Sequence, residues 1–325
     1  MKLYLFFLYF IYIYSRTKKY FSFYKYFSKL KEKDYKKGLK FWYKKITKRN
    51  LNLENPKTYT EKIQWIKLYD IDNLKTRLTD KYLVRDWVKK KIGEKYLIPL
   101  LGVWDKFSDI NFKNFPNKFV LKCNHGSNMN IIVLDKNKFN IFEAKKKINH
   151  WMKLNYAFIY GLELQYKNIK KKIIAEEYIE NNKNNINDYK IWCFEGKVEI
   201  IMVITERNRN KKYVFYDKNW NLLPFYYSKY QEKKINKPKY LNELINISET
   251  LSKGFKHVRT DFYILNNNTI KFGEMTFTPN SGIVHFSKEE YNEYFGNKIH
   301  INDNNKNKNS NYTNKIILKK ENEDL

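Results

Sequence analysis

Residues 258–276 read VRTDFYILNNNTIKFGEMT. Val258 to Leu265 and Thr269 to Phe272 read as two strands, and the asparagines between them as a turn, which predicts an antiparallel hairpin. The hairpin carries chemistry as well as structure. Asp261 lies in the first strand and Glu274 at the end of the second, and antiparallel neighbours joined by a turn can bring two carboxylates together. Two carboxylates completed by phosphate oxygens are a typical holder of Mg²⁺. Arg259 has the same side-chain parity as Asp261 and so faces the same side. The plainer reading is a surface Arg–carboxylate pair, worth little. Thr276, Pro279 and Ser281-Gly282 extend the segment as a rigid polar turn.

The chain before this hairpin has the same antiparallel character. Tyr189 to Phe194 and Val198 to Thr205 read as strands joined at Glu195-Gly196, with Tyr213 to Tyr216 as another. Phe119 to Lys122 and Ile131 to Leu134 flank a polar loop, and Ile173 to Ile179 is a strand that turns acidic. Leu97 to Val103 reads as a buried strand around Pro99. Helices are expected from a capping box at Thr58-x-x-Glu61, from Asp80 to Lys91, from Phe142 to Leu154, and from Asn242 to Gly254. This order is α+β with hairpins, not a doubly wound parallel sheet.

Composition bounds the rest. The 325 residues are 42% hydrophobic and 18% aromatic, enough for a sizeable core and too apolar for a mostly disordered chain. Cys123 and Cys193 are the only cysteines, which excludes a disulfide-stapled fold and a cysteine-based zinc cluster. Lys and Arg number 64 against 34 acids, a net charge of +30. The lysines are spread along the whole chain with no nucleic-acid motif, so nucleic acid is not the expected partner. An anionic membrane surface, an acidic polymer or a nucleotide fits the charge equally well.

Residues 1–50 read as a basic amphipathic segment. Leu3 to Tyr14 is apolar, too short to span a bilayer as a regular helix, and is followed by Arg16, Lys18 and Lys19. Tyr20, Phe23, Tyr24, Phe27 and Leu30 then recur at helical spacing between lysines. Such a stripe suits an anionic membrane, or a helix packed on the body of the protein. The expected location is the cytoplasm, at the inner face of the membrane. Residues 51–117 read as a helical region, 118–180 and 181–300 as two lobes, and 301–325 as a disordered polar tail.

Two further constellations could carry chemistry. Lys122 leaves its strand beside the loop Asn124-His125-Gly126-Ser127-Asn128, where backbone N–H groups and an ammonium can hold phosphate. It is not a Walker pattern, and a solvated lysine is the plainer reading. Glu176-Glu177-Tyr178-Ile179 ends a strand whose backbone can present an amide and a carbonyl to an adenine edge, though an ordinary strand end is the plainer reading.

Taken together, these elements resemble the TupA-like branch of the ATP-grasp superfamily. The resemblance runs from about Leu53 to Tyr294 through NPKTYTEKIQWIKLYD, TDKYLVRDWVKKKIGEKYLIPLLGVWD, FVLKCNHGS, IIAEEYIE, DYKIWCF, FYDKNWNLLPF, VRTDFYI and FGEMTFTPNSG, in that order. It implies an ATP-grasp fold: two lobes with antiparallel sheets flanked by helices, preceded by a short helical N-terminal region, with ATP and Mg²⁺ between the sheets. It implies that Lys81, after Asp80, and Lys122 contact phosphates, with Gly126-Ser127 in the lid loop. Glu176, Glu177 and Ile179 match the adenosine-recognition strand, the latter two through their backbones. Arg259 matches the catalytic arginine, Asp261 and Glu274 the metal carboxylates, and Lys190 is a further candidate near the phosphates. Four positions at three places depart from the wider superfamily. Thr276 stands where a third metal ligand is commonly Asn, Asn128-Met129 stands where the lid commonly has glycines, and Asn280 replaces a glycine after Pro279.

The activity the resemblance implies is ligation of a carboxylate to an amine through an acyl phosphate, in the assembly of cell-surface polysaccharide such as teichuronopeptide. The partners would be a carboxylate-bearing glycan or its precursor and an amine. Two rivals stand beside it. A glycosyltransferase would show an Asp-x-Asp metal motif, and the chain has no convincing one: Asp70-Ile71-Asp72 fits the letters but lies at a helix end far from the other site residues. A non-catalytic scaffold would bind ATP without turning it over.

Overall fold

The computed structural model describes residues 23–179, 187–205, 212–223, 235–265 and 269–301. The expectations for residues 1–22, for most of the Asn-rich linker that begins at 181 and for the tail beyond Ile301 lie outside those residues.

A helical stretch at 23–27 leads into α1 (Tyr35–Thr47). Phe23 and Phe27, from the stripe that would suit a membrane, are buried in the protein's own core. The capping box forms: Thr58 Oγ1 accepts from the Glu61 amide at 3.3 Å, and Glu61 Oε2 accepts from the Thr58 amide at 3.2 Å. It opens α2 (Tyr59–Tyr69), which buries Tyr59, Ile63, Trp65 and Ile66. The next helix differs from expectation. A short α3 (Asn73–Thr79) comes first, and α4 (Val84–Lys91) begins four residues after Asp80. The reason is Asp80 itself, whose Oδ1 accepts from the Tyr82 and Leu83 amides at 2.8 and 3.2 Å and holds a turn there. A side chain that competes for backbone amides delays the helix.

Two antiparallel sheets follow. The first contains β1 (Leu100–Trp104), β2 (Phe119–Cys123), β3 (Asn130–Val133) and β4 (Ile173–Glu177), in the order β1-β4-β2-β3. Between β3 and β4, α5 (Ile141–Lys153) buries Ala144 and Ile148 and packs on β2. The second sheet contains β5 (Asn187–Phe194), β6 (Lys197–Thr205), β7 (Lys212–Tyr216), β8 (His257–Ile264) and β9 (Ile270–Thr276), in the order β7-β6-β5-β8-β9. Between β7 and β8, α6 (Leu241–Ser252) lays Leu241, Leu244, Ile247 and Leu251 against one face of this sheet, where Tyr189, Ile191, Val258 and Phe262 meet it. Finally, α7 (Glu289–Asn297) packs on α2. The hairpins and the α+β order are as the sequence predicts. Because α6 covers one face of the second sheet, the residues of opposite parity on β5, β8 and β9 line the other face, where Trp192 stacks on Tyr59 of α2 and Phe194 on Phe295 of α7.

Candidate functional site

Register assembles the second sheet's contribution. Lys190 on β5 stands opposite Asp261 on β8, and Asp261 stands opposite Glu274 on β9, so three charges form one row across three strands. The neighbouring row is Trp192, Arg259 and Thr276. The β8–β9 register slips between Asp261 and Phe262, which leaves Gly273 as the extra residue of a bulge. A Cβ at Gly273 would lie 3.2 Å from the Asp261 carbonyl oxygen. The glycine therefore permits the slip that sets Glu274, rather than a neighbour, beside Asp261.

The row is tightly paired. Arg259 donates to both oxygens of Asp261, from Nε at 2.7 Å and from Nη2 at 2.8 Å. The same Nη2 reaches Glu274 Oε1 at 3.3 Å and Thr276 Oγ1 at 3.2 Å. Lys190 Nζ contacts Asp261 Oδ2 and lies 3.2 Å from Asp188. Burial would lower the Lys190 pKa, but the Asp261 charge prevails and raises it. Burial would likewise raise Glu274, but Lys81, Arg259 and Lys190 outweigh it and hold that carboxyl far below its usual range.

The turn before α4 and the first sheet supply the facing cations. Lys81 Nζ donates to the Gly126 carbonyl at 2.8 Å and lies 3.2 Å from Glu274 Oε2, so one ammonium joins the loop after β2 to the end of β9. Lys122, on β2, contacts Glu176 on β4. Burial would lower Lys122 too, and Glu176 raises it above its ordinary value. Glu176 also takes Arg85 Nη1 at 2.9 Å. Glu177 is exposed, with its amide donating to the Pro99 carbonyl at 3.1 Å, and Ile179 is half-buried beyond the strand end. Gly126 is packed so closely that a Cβ would meet Met129 and Tyr156 within 3 Å, and Ser127 is half-buried beside it.

Two sequence departures have a backbone explanation. Asn128 has φ +59° and Asn280 has φ +49°, both in the left-handed region. Asn is the side chain that tolerates this region best after glycine, so it stands in for glycine without changing the path of the chain.

Several site-building residues carry no sequence motif. Asn124 donates to Asp80 Oδ2 at 2.8 Å and to the Lys170 carbonyl at 2.9 Å, while its Oδ1 accepts from the Lys172 amide at 2.7 Å. It ties the Asp80-Lys81 turn to the loop and to the start of β4. Lys67 is fully buried on α2, donating to Gly161 O at 3.0 Å, Ser281 O at 2.7 Å and Ser281 Oγ at 2.6 Å. It clamps the left-handed turn Asn280–Gly282 that follows β9. Burial pulls Lys67 down to about 7, against the pull of the Glu163 carboxylate; burial pushes Glu163 up to about 7, and its partner Thr278 Oγ1 donates to it at 2.5 Å. The place of Lys67 four residues after the core position Ile63 on α2 puts it on the inward face, and the partners that make it a clamp come from far along the chain.

The Asp-x-Asp letters belong elsewhere. Asp70 holds Lys75 Nζ at 2.5 Å, and Asp72 Oδ1 caps α3 by accepting from the Lys75 amide at 2.7 Å. Both carboxylates serve the local fold.

The oxygen-only donor set of Asp261, Glu274 and Thr276 suits a hard divalent cation. Among the described residues no group of three or more His, Cys, Asp or Glu side chains stands in metal-holding geometry. Two carboxylates leave room for phosphate oxygens and water to complete an octahedron, which is how Mg²⁺ is usually bound with a nucleotide. Lys81, Lys122, Lys190 and Arg259 beside them suit the phosphates. Mg²⁺ with a nucleoside triphosphate therefore fits the residues present.

A model of the TupA-like ATP-grasp family matches residues 61–300, more than half of the chain. No curated protein matches it. Among solved structures, N5-carboxyaminoimidazole synthetase of Staphylococcus aureus with ADP is 13% identical over 62% of this chain and 44% of its own, with a TM-score of 0.40. D-alanine–D-alanine ligase of Bacillus anthracis with ATP is 17% identical over 62% and 55%, at 0.40. L-amino acid ligase of Bacillus licheniformis is 13% identical over 66% and 47%, at 0.39. The chain thus spans about half the length of these structures.

Proposed function

The chain belongs to the TupA-like ATP-grasp family, and from that membership we propose that it is an ATP-dependent carboxylate–amine ligase acting on a carboxylate-bearing cell-surface glycan or its precursor. The observation that carries the proposal is the row Lys190–Asp261–Glu274, bridged to the first lobe by Lys81.

In this reading Asp261 and Glu274, with Thr276 beside them, hold Mg²⁺. Bound there with ATP, the ion would offset the phosphate charge. Lys81 and Lys122 take phosphate oxygens, exchanging carboxylate partners for the ligand's. Glu176 and the backbone of Glu177 and Ile179 meet the nucleoside. The ATP γ-phosphoryl passes to the substrate carboxylate, giving an acyl phosphate and ADP. Arg259, already among the site's anions, faces the charge that develops when an amine attacks that acyl carbon and phosphate leaves. Lys190 adds a second fixed positive charge. The chain supplies no nucleophile, and positioning and charge are its whole contribution. The loop at Gly126-Ser127 excludes water that would otherwise hydrolyse the acyl phosphate. A glycan bearing uronic acids offers the carboxylate, and the net charge of +30 favours such an acidic polymer.

The test is phosphate release from Mg-ATP by the purified protein, with uronic-acid glycans and mixed amino acids supplied together or singly. Release that requires both partners supports the ligase. Clean ATP binding with no release under any pairing favours a non-catalytic nucleotide-binding scaffold.

A further inference from the structure

The outward face of the N-terminal helices differs in kind from their buried stripe. Phe23, Phe27, Leu39, Trp42 and Tyr43 face the core, whereas Tyr26 and Phe41 are 38% and 45% exposed, their ring centroids 5.6 Å apart. Lysines surround this pair. Lys25 and Lys29 flank Tyr26 on the first stretch, and Lys37 and Lys44 lie four residues before and three after Phe41, on the same side of α1. Lys45 Nζ stands 5.6 Å over the Phe41 ring. All five lysines are exposed, and the sequence of α1, YKKGLKFWYKKIT, contains no acid. The nearby Glu54 faces the flank of α1, where it pairs with Lys36 at 2.6 Å and lies 3.9 Å from Lys40.

We infer that this face, centred on Tyr26 and Phe41, docks on an anionic lipid surface. Lysines alone would serve any polyanion. Two exposed aromatics at the middle of a lysine field are the arrangement that lets rings enter the headgroup layer while ammonium groups meet lipid phosphates. The chain outside the described residues adds to it. In the sequence, residues 1–22 directly precede Phe23 and carry the apolar run Leu3–Tyr14 followed by Arg16, Lys18 and Lys19. The stripe that the sequence offers to a membrane packs inward, and the side left outward is the one fitted to lipid. The surface shares no residue with the candidate site, so it stands or falls apart from the ligase reading.

The experiment is co-sedimentation of the full chain with vesicles of phosphatidylcholine, alone or mixed with phosphatidylglycerol. Binding is expected only with the anionic lipid. The double substitution Lys37→Glu/Lys44→Glu should weaken it by about tenfold or more, since each surface lysine contributes on the order of fivefold. Phe41→Ser should leave binding more sensitive to salt, because the screened electrostatic attraction then lacks its apolar partner. These positions are exposed, and an unchanged circular dichroism spectrum and melting temperature confirm that each variant is folded. Anionic-vesicle binding that both variants retain at wild-type strength overturns the assignment. So does binding that a soluble polyuronate abolishes while Phe41→Ser has no effect, because that pattern belongs to a polymer site.

Discussion

The Lys81 ammonium lies 3.2 Å from the Glu274 carboxylate and 2.8 Å from the Gly126 carbonyl, so a single side chain touches both the loop after β2 and the end of β9. Its removal should be felt in nucleotide binding more than in folding, because Glu274 keeps Arg259 at 3.3 Å. Lys81→Met is expected to weaken ATP binding by about ten- to a hundredfold, the worth of a charge-assisted hydrogen bond of about 1.5–3 kcal/mol. Titration calorimetry with Mg-ATP checks this, and an unchanged affinity would remove Lys81 from the phosphate site.

In the proposed function Asp261 and Glu274 would hold the metal, and each can be neutralised at constant shape. Asp261→Asn and Glu274→Gln should each abolish the Mg²⁺ dependence of ATP binding while leaving some metal-free binding through the lysines. Asp261→Asn should also lower the melting temperature, since it leaves Arg259 and Lys190 buried against a neutral amide. Mg²⁺-dependent binding that survives in both variants would count heavily against this metal site.

Asp80 is a structural neighbour of the site with three hydrogen bonds, to the Tyr82 and Leu83 amides and to Asn124. Asp80→Ala removes a backbone cap worth about 1 kcal/mol and strands a buried Asn124 N–H for about 1–3 kcal/mol more. A loss of about 2–4 kcal/mol is expected in urea unfolding. Because Lys81 is the next residue, ATP affinity should fall as well, and a stability loss with intact affinity would separate Asp80 from the site.

Much of this was legible in the sequence because it is local. The Thr58–Glu61 box, the hairpin around 266–268 and the parity that puts Arg259 beside Asp261 each depend on residues a few positions apart. What was not legible depends on packing across the chain. Lys67 reads as one lysine among many until Ser281, over two hundred residues on, is folded against it. Asn124 reads as loop polarity until the turns at Asp80 and Lys172 close on it. The start of α4 falls four residues later than the sequence reading because the Asp80 side chain takes the Tyr82 and Leu83 amides and holds a turn first. The Phe23 and Phe27 stripe was ambiguous for a similar reason: amphipathicity says that a face is buried, not what buries it.

The two asparagines with left-handed backbones make a stability prediction. Asn128→Gly and Asn280→Gly should be close to neutral, since glycine adopts positive φ freely. Asn280→Ala should cost about 1 kcal/mol and Asn280→Val about 2, from the Cβ clash in that region. Denaturation midpoints at unchanged m-value measure this directly, and a stabilising alanine would mean that the turn is not left-handed in solution.

Acid should destabilise the protein through its buried histidines. His257 is enclosed between the Cys193 carbonyl, 2.9 Å from Nδ1, and the Tyr59 hydroxyl, 3.1 Å from Nε2, and burial pushes it down to about 3 despite the carbonyl's opposing pull. His125, 3.2 Å from the Trp151 carbonyl, is pushed down by burial to about 4. Unfolded, both take up a proton near 6.5. As pH falls through that value the unfolded chain binds protons that the folded chain refuses, so stability present above pH 6.5 is lost toward 4 and below. Each unit in that window costs up to about 1.4 kcal/mol per histidine. His125→Gln should therefore flatten the fall of stability on acidification relative to the unsubstituted protein, whatever it costs at neutral pH. Melting temperatures measured across that window test the slope, and parallel curves for the two proteins would mean that His125 already carries its proton in the folded state.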